Sequence, residues 1–364
     1  MVEPRPEILS MPEYTPGRSV AAVERELGVH GVIKLASNES LWGTSPAVIH
    51  AAAESLQRLN VYPEVIPTDL VEALARHSGF AADAILVGNG ADELLRLLAT
   101  AYVRPGDTVL YPHPSFAAYP YAARLMGGTP VAVPLHPEGY VDLEATADRV
   151  DASTRLIYLC SPNSPTGGIF TQSQWTLFLE RVGTQALLVI DQAYREFVDD
   201  PGYARIEDAI RQGLPVVMVR TFSKLYGLAG ARVGWLVADP PTVSLLHRVR
   251  EPFSVNRVAL SAAAAALADP PYFERVRRET LVLRRWLTAE LRGRGFSVLE
   301  SQANFVAFDC RRDAVEFTRR LEFHGVVVRP GTSFGLPTHC RVTVAPQPAL
   351  ARFFEALDAV TQQP

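Results

Sequence analysis

Lysine is nearly missing from this 364-residue chain. Of 35 basic residues only Lys34 and Lys224 are lysine, and arginine supplies the other 33. Any chemistry that needs an alkyl amine therefore has two candidates. Cysteine is also scarce: Cys160, Cys310 and Cys340 stand far apart, which excludes a disulfide framework or a closely spaced zinc knuckle. No charge of one sign dominates, since 35 basic residues against 39 acidic ones leave a net charge of −4. A basic nucleic-acid-binding surface is not expected on such a chain. Long hydrophobic runs are missing too. The longest apolar stretch, 259–268, is interrupted by Ser261 and is far shorter than a membrane span requires. The opening MVEPRPEILS has no apolar signal core, so a cytoplasmic location is expected, with no membrane association and no bound metal.

What is present suits a folded globular protein. A hydrophobic fraction of 48% is ample for a core and argues against disorder. The length fits two packed domains, or one large α/β domain with an appendage. After a proline-rich start and a helix near 20–27, short apolar runs alternate with helical stretches. Strands are expected at 85–87, 108–111, 131–134, 156–160, 187–191, 216–220 and 233–238, with helices at 92–102, 117–126 and 172–182 between several of them. This alternation predicts a mostly parallel sheet covered on both faces. Beyond a long helix at 272–292 the pattern changes to short strands near 305–308, 326–329 and 341–344, with helices at 314–324 and 349–361. The expected organisation is a large domain over 37–255 and a smaller α+β domain formed by 1–36 with 256–364.

Four loops at expected strand ends carry the chemical signal, because open α/β sheets bind ligands there. Gly88-Asn89-Gly90-Ala91-Asp92-Glu93 joins a strand to a helix and can point backbone N–H groups at an anion; it also reads as an ordinary capped turn. Ser161-Pro162-Asn163-Ser164-Pro165-Thr166-Gly167 is a rigid turn bearing polar side chains. The apolar strand 187–190 ends in Asp191-Gln192-Ala193-Tyr194, placing a carboxylate and a phenol where a ligand would lie. Thr221-Phe222-Ser223-Lys224, followed by Gly230-Ala231-Arg232, gathers hydroxyls, an amine and a guanidinium within 12 residues. An isolated lysine is usually a surface residue, but the near-absence of lysine weakens that explanation here.

In this order the motifs resemble those of the fold-type I pyridoxal-phosphate aminotransferases, and within them the histidinol-phosphate aminotransferase branch. The matching pieces run from Tyr14 through Ser37-Asn38-Glu39-Ser40, Tyr62-Pro63, the four loops above, and Ala303-Asn304-Phe305, to Val328-Arg329-Pro330 and Arg341-Val342-Thr343. The resemblance implies that pyridoxal 5'-phosphate is the cofactor and that Lys224 forms a Schiff base with it and then shuttles a proton. It implies that Asp191 pairs with the ring nitrogen, that Tyr194 bonds the ring 3-oxygen, and that Phe116 stacks on the ring. Ala91, Asp92, Thr221, Ser223 and Arg232 would hold the phosphate, joined by Tyr62 from the second subunit of a homodimer with shared active sites. Tyr14, Asn38, Arg329 and Arg341 would meet the substrate, an amino donor or a 2-oxo acid.

Two departures from the family pattern stand out. Gln192 occupies a position usually held by glutamate. Alternation along a strand turns it away from the ring. Ser164 stands where asparagine usually precedes Pro-Thr-Gly, so Asn163, one place earlier, is a candidate for that contact, as are the Ser164 hydroxyl and a water. The expected reaction converts L-histidinol phosphate and 2-oxoglutarate into imidazole-acetol phosphate and glutamate. The alternatives are a transaminase with an aromatic or specialised-metabolism substrate and a decarboxylase of the threonine-phosphate type. A DNA-binding regulator is disfavoured by the charge and by the short segment before the core. An inactive homologue is disfavoured by the joint presence of Lys224, Asp191, Tyr194 and Arg232.

Overall fold

The computed structural model describes residues 2–9, 11, 13 and 17–362. Its largest sheet has seven strands in the order Ile85–Gly88, Gly234–Val237, Val216–Thr221, Leu187–Asp191, Thr154–Cys160, Thr108–His113 and Thr129–Pro134. All are parallel except Gly234–Val237, which runs antiparallel to both neighbours. Alternation explains why these strands are apolar throughout: Leu188 and Ile190 join one hydrophobic cluster, while Leu187 and Val189 join the cluster on the opposite face. A strand covered on both sides has no polar face to offer. Only its end can meet a ligand.

The pairing register then decides which ends meet. Asp191 lies beside Cys160 and Val219, and Gly234 lies between Gly88 and Thr221. The carboxyl ends of four strands are thereby brought to one edge. Gly234 has to be glycine for this: a Cβ there would sit 2.8 Å from the Ala91 nitrogen and 2.9 Å from the Arg220 oxygen.

A second sheet has the order Arg329–Pro330, His339–Thr343, Phe305–Asp309 and Ser297–Val298. Its core contains Phe308, Val342, Phe317 and Phe353. The single strand expected at 326–329 is in fact two. Val326–Val327 pairs in parallel with Ile33–Lys34, whereas Arg329–Pro330 joins the four-stranded sheet. The boundary expected at 255 falls just before a helix that packs with the large core. The helix Arg257–Leu267 packs on Pro46–Leu56 and Thr68–Ser78, with Ala259, Ala262, Ala263 and Ala266 in the large core. Alanines permit that close approach. The next helix, Pro270–Gly293, places Phe273, Val276 and Leu281 in the large core and Leu287 and Leu291 in the small one, so we draw the change of unit within this helix. Among the described residues, no helix is long and apolar enough to cross a membrane and no side-chain cluster could hold a metal.

Midway along that helix, Arg284 ties the units together. It donates to the carbonyls of Phe197 (2.9 Å) and Ala303 (3.2 Å) and to the Asp199 carboxylate (2.6 Å). Removing it leaves buried carbonyls unpaired, while Asp199 keeps Arg285 as a partner. Arg284→Ala is expected to cost about 2–3 kcal/mol, read as a lower midpoint in urea unfolding. An unchanged midpoint would refute this role.

Candidate active site

At the shared edge of the large sheet is a cavity of about 170 Å³. Its floor carries Asp191, whose residue is 4% exposed. One carboxylate oxygen accepts from the Ala193 N–H (3.0 Å) and the other from the Tyr119 hydroxyl (2.8 Å). Burial pushes the Asp191 carboxyl up to about 6, while the two hydrogen bonds and the Lys224 charge pull it down. Asp191 is buried and its hydrogen-bond donors are neutral, so its ionised form is costly. The site is therefore suited to a cation that arrives with a ligand.

Lys224 leaves the strand end in the turn after Thr221. Its Nζ lies 3.3 Å from the Ser37 carbonyl and 5.5 Å from the centre of the Tyr194 ring. The Tyr194 hydroxyl accepts from Asn38 Nδ2 (3.0 Å), and Phe305 packs edge-on against the Tyr194 ring. Asn38 is itself held by Thr343 and Asn304 of the neighbouring region. Its backbone takes a left-handed conformation, φ +57°, an uncommon one for a non-glycine residue.

Opposite the amine is a cradle of anion donors. The helix Gly90–Tyr102 begins here, and Ala91 and Asp92 line the cavity at its first turn. Backbone N–H groups at a helix start attract anions. Thr221 Oγ1 donates to Ser223 Oγ (2.9 Å) and accepts from the Ser223 N–H (3.1 Å). Arg232 donates to the Ala229 carbonyl and to Asp92, each at 3.2 Å. Gly90 has φ +78°, and a Cβ there would come 2.5 Å from Arg232 Nη2. The cradle closes only because that side chain is absent. Phe116 forms part of the wall and meets Tyr119 edge-on, 5.8 Å between centroids.

The small sheet supplies a second charged feature. Arg329 and Arg341 are register partners on adjacent antiparallel strands and are 8% and 7% exposed. Planar guanidinium groups placed side by side in this way can donate to a common anion. Arg341 donates to Ser164 Oγ (3.1 Å) and to the Ala36 carbonyl (2.7 Å), and Arg329 donates to Ser333 Oγ (3.2 Å). Phe334 lies beneath both guanidinium groups.

Most of the residues expected from the sequence converge here: Ala91, Asp92, Phe116, Asp191, Tyr194, Thr221, Ser223, Lys224 and Arg232 all line the cavity. Asn163 does not. Its amide donates to Thr166 Oγ1 (2.8 Å) and the Pro114 carbonyl (3.1 Å) and accepts from Ser115 (2.7 Å). Those bonds close the loop and leave Ser164 as the cavity-facing residue. Tyr62 is 78% exposed, stacked on Phe253, and outside this chain's cavity. Tyr14 lies outside the described residues. Gln192 points away from the cavity as expected: it donates to the Tyr203 hydroxyl and accepts from Arg220. Sequence reading missed Tyr119, whose only signal is its place one helical turn beyond Phe116.

A family model for aminotransferase class I and II matches residues 30–357. The chain belongs to that family. It is 44% identical over 357 residues to a histidinol-phosphate aminotransferase of Symbiobacterium thermophilum, covering 98% of each chain. It is 40% identical over 354 residues to one from Moorella thermoacetica, covering 97% of this chain and 92% of the relative. The solved histidinol-phosphate aminotransferase of Sinorhizobium meliloti, in complex with pyridoxal-5'-phosphate, superposes with a TM-score of 0.89. It is 31% identical and covers 98% of this chain and 97% of that one. This aminotransferase is of fold type I and depends on pyridoxal phosphate, and the residues present fit that cofactor. The buried carboxylate suits a protonated ring nitrogen, the cradle at Gly90 suits a phosphate, and the lysine lines the same cavity.

The raised Asp191 value has a testable consequence. An aspartate normally titrates near 4, so between about pH 4 and 6 the cofactor-free folded chain holds a proton that the unfolded chain releases. Asp191 thus contributes to stability at low pH and loses that contribution as pH rises through about 6. Pairing with a cationic ring requires the ionised form. The affinity advantage of the native chain over Asp191→Asn for pyridoxal phosphate should therefore shrink below about pH 6. An advantage constant from pH 8 to 5 would exclude the ion pair. Tyr119→Phe removes a donor to the carboxylate and should weaken cofactor binding about tenfold at pH 7, as measured by equilibrium titration.

Proposed function

We propose that this aminotransferase is a histidinol-phosphate transaminase, exchanging the amino group of L-histidinol phosphate with the oxo group of 2-oxoglutarate. Full-length relatives of that name support the reading. The observation that carries it in this chain is the buried Arg329–Arg341 pair. Histidinol phosphate presents a phosphate but no carboxylate, whereas glutamate presents two carboxylates. Planar guanidinium forks accept either anion. Bound in the cavity, pyridoxal phosphate supplies an aldehyde that exchanges with amines and a ring that withdraws electrons from the substrate Cα.

The chain's own groups do the rest. The Lys224 Nζ would take the proton from the substrate Cα and deliver it to the carbon that carried the cofactor's aldehyde, two bonds away. Asp191 keeps the ring nitrogen protonated. Tyr194, oriented by Asn38, holds the ring oxygen, and Phe116 covers one face of the ring. Arg232, Ser223, Thr221 and the N–H groups of Ala91 and Asp92 anchor the phosphate. Arg341, with Ser164 beside it, orients the substrate anion.

The molecule works as a homodimer in this reading. Ile49, Leu56, Leu59, Val65 and Ile66 are exposed apolar side chains on or near one helical surface, and such a patch calls for a covering partner. Tyr62, which stands beside this patch and away from its own cavity, would reach the phosphate of the second copy. A biosynthetic enzyme of this kind would act in the cytoplasm.

The purified protein should be yellow, and histidinol phosphate should bleach that absorbance in a single turnover while 2-oxoglutarate restores it. Bleaching by an aromatic donor alone would assign a different transaminase. Carbon dioxide release without 2-oxoglutarate would assign a decarboxylase. Lys224→Ala should lose turnover by at least about a thousandfold. Arg341→Gln should raise KM for both partners by about 10- to 100-fold through loss of a charge-assisted contact, and an unchanged KM would remove it from the substrate site. Sedimentation should give twice the chain mass of 39.9 kDa, and Ile49→Glu with Leu56→Glu should shift it toward the monomer.

A further inference from the structure

The cradle around Gly90 is braced from behind by three residues that touch neither the cavity nor its expected contents. Glu93, one turn into the helix Gly90–Tyr102, is 7% exposed. Its Oε2 accepts from the backbone N–H of Asn89 and from the Ser254 hydroxyl (3.2 Å). The Ser254 hydroxyl in turn accepts from Arg250 Nη2 (3.1 Å). Arg250 is 9% exposed, and its Nε and Nη1 have no hydrogen-bond partner among the described residues. It is a buried guanidinium held by one hydroxyl and the nearby Glu93 charge. The same segment is tied to the cradle's other limb, because Asn256 donates to the carbonyl of Ala231, the neighbour of Arg232 (3.0 Å).

The order of donors along the loop gives this arrangement a purpose. Glu93 turns the Asn89 N–H inward, away from the cavity. Ala91 and Asp92, in the first turn of the helix, line the cavity wall. A bare carboxylate so close to a phosphate site would, however, repel the phosphate. At low dielectric that repulsion is not screened. A buried arginine on the far side cancels it.

We infer that Glu93, Ser254 and Arg250 form a positioning network for the phosphate cradle, in which Glu93 shapes the loop and Arg250 neutralises Glu93 so that the cradle stays attractive to an anion. This rests on the reading of the cavity as a pyridoxal-phosphate site. None of the three is a catalytic residue, since each acts through the backbone of 89–92 or through another member of the network.

The network makes a prediction that simple packing does not. Removing Arg250 strands a negative charge beside the phosphate, so Arg250→Met should be more damaging than removing both charges together. The test is equilibrium titration of the cofactor-free protein with pyridoxal phosphate and, separately, with pyridoxal, which lacks the phosphate. Arg250→Met should weaken pyridoxal phosphate binding by about tenfold or more and pyridoxal binding by less than about twofold. Glu93→Gln, which keeps an acceptor for Asn89, should stay near the native affinity. The double variant Glu93→Gln with Arg250→Met should recover most of the loss. If Arg250→Met does not fold, Ser254→Ala removes only the bridging hydroxyl and should show the same phosphate-selective weakening in smaller measure. Equal weakening of both ligands, or strictly additive losses in the double variant, would overturn the proposal. Failure of the native protein to bind either ligand would instead defeat the cofactor reading on which it rests.

Discussion

The carboxylate of Asp191 is the constraint around which the large domain is arranged. It sits at the end of a strand covered on both faces, where water is excluded and an ionised group is costly. Two donors, the Tyr119 hydroxyl and the Ala193 N–H, reduce that cost without removing it, and the group remains raised to about 6. Free energy withheld from folding in this way becomes available to a cationic ligand. The parallel sheet makes the placement possible, because its register puts Asp191 at the same edge as Cys160 and Thr221, with the helix Gly90–Tyr102 starting just beyond Gly88.

The small sheet brings two guanidinium groups to one place. Arg329 and Arg341 face each other across antiparallel strands with little solvent to screen them. One part of the site thus has an uncompensated carboxylate, and another has paired guanidinium groups. In the proposed reading a cationic ring would meet the first and an anionic substrate the second. The domains meet where this matters: Asn38 holds Tyr194 of the large domain and is itself held by Thr343 and Asn304. Orientation of the phenol therefore depends on both packing units.

Much of this was legible in the sequence, for identifiable reasons. Strand periodicity reports burial, so the seven strands of the large sheet could be expected from their apolar runs. Lys224 stood out because lysine is so rare that a surface role was improbable. Other features were hidden. Nothing local distinguishes Asn163 from Ser164 as the cavity-facing residue; that choice is made by Thr166, Ser115 and Pro114, which engage the asparagine. Tyr119 looks like any buried helical tyrosine until the strand ending at Asp191 is placed under it. The run 326–329 reads as one strand because periodicity cannot tell which sheet each residue joins.

By itself, then, the sequence determined the types of element, the family, the single plausible amine and the loops that bear chemistry, because each depends on neighbours a few residues apart. The tertiary structure alone decided that Tyr119 supports Asp191, that Arg329 opposes Arg341, that Glu93 is neutralised by Arg250, and that the helix Arg257–Leu267 belongs to the large core. These relations join residues far apart in the chain: Glu93 and Arg250 are separated by 157 positions, and the helix Arg257–Leu267 from Pro46–Leu56 by more than 200. They follow from register and burial, which raise the cost of an unpaired charge to the point where its neighbours are no longer interchangeable.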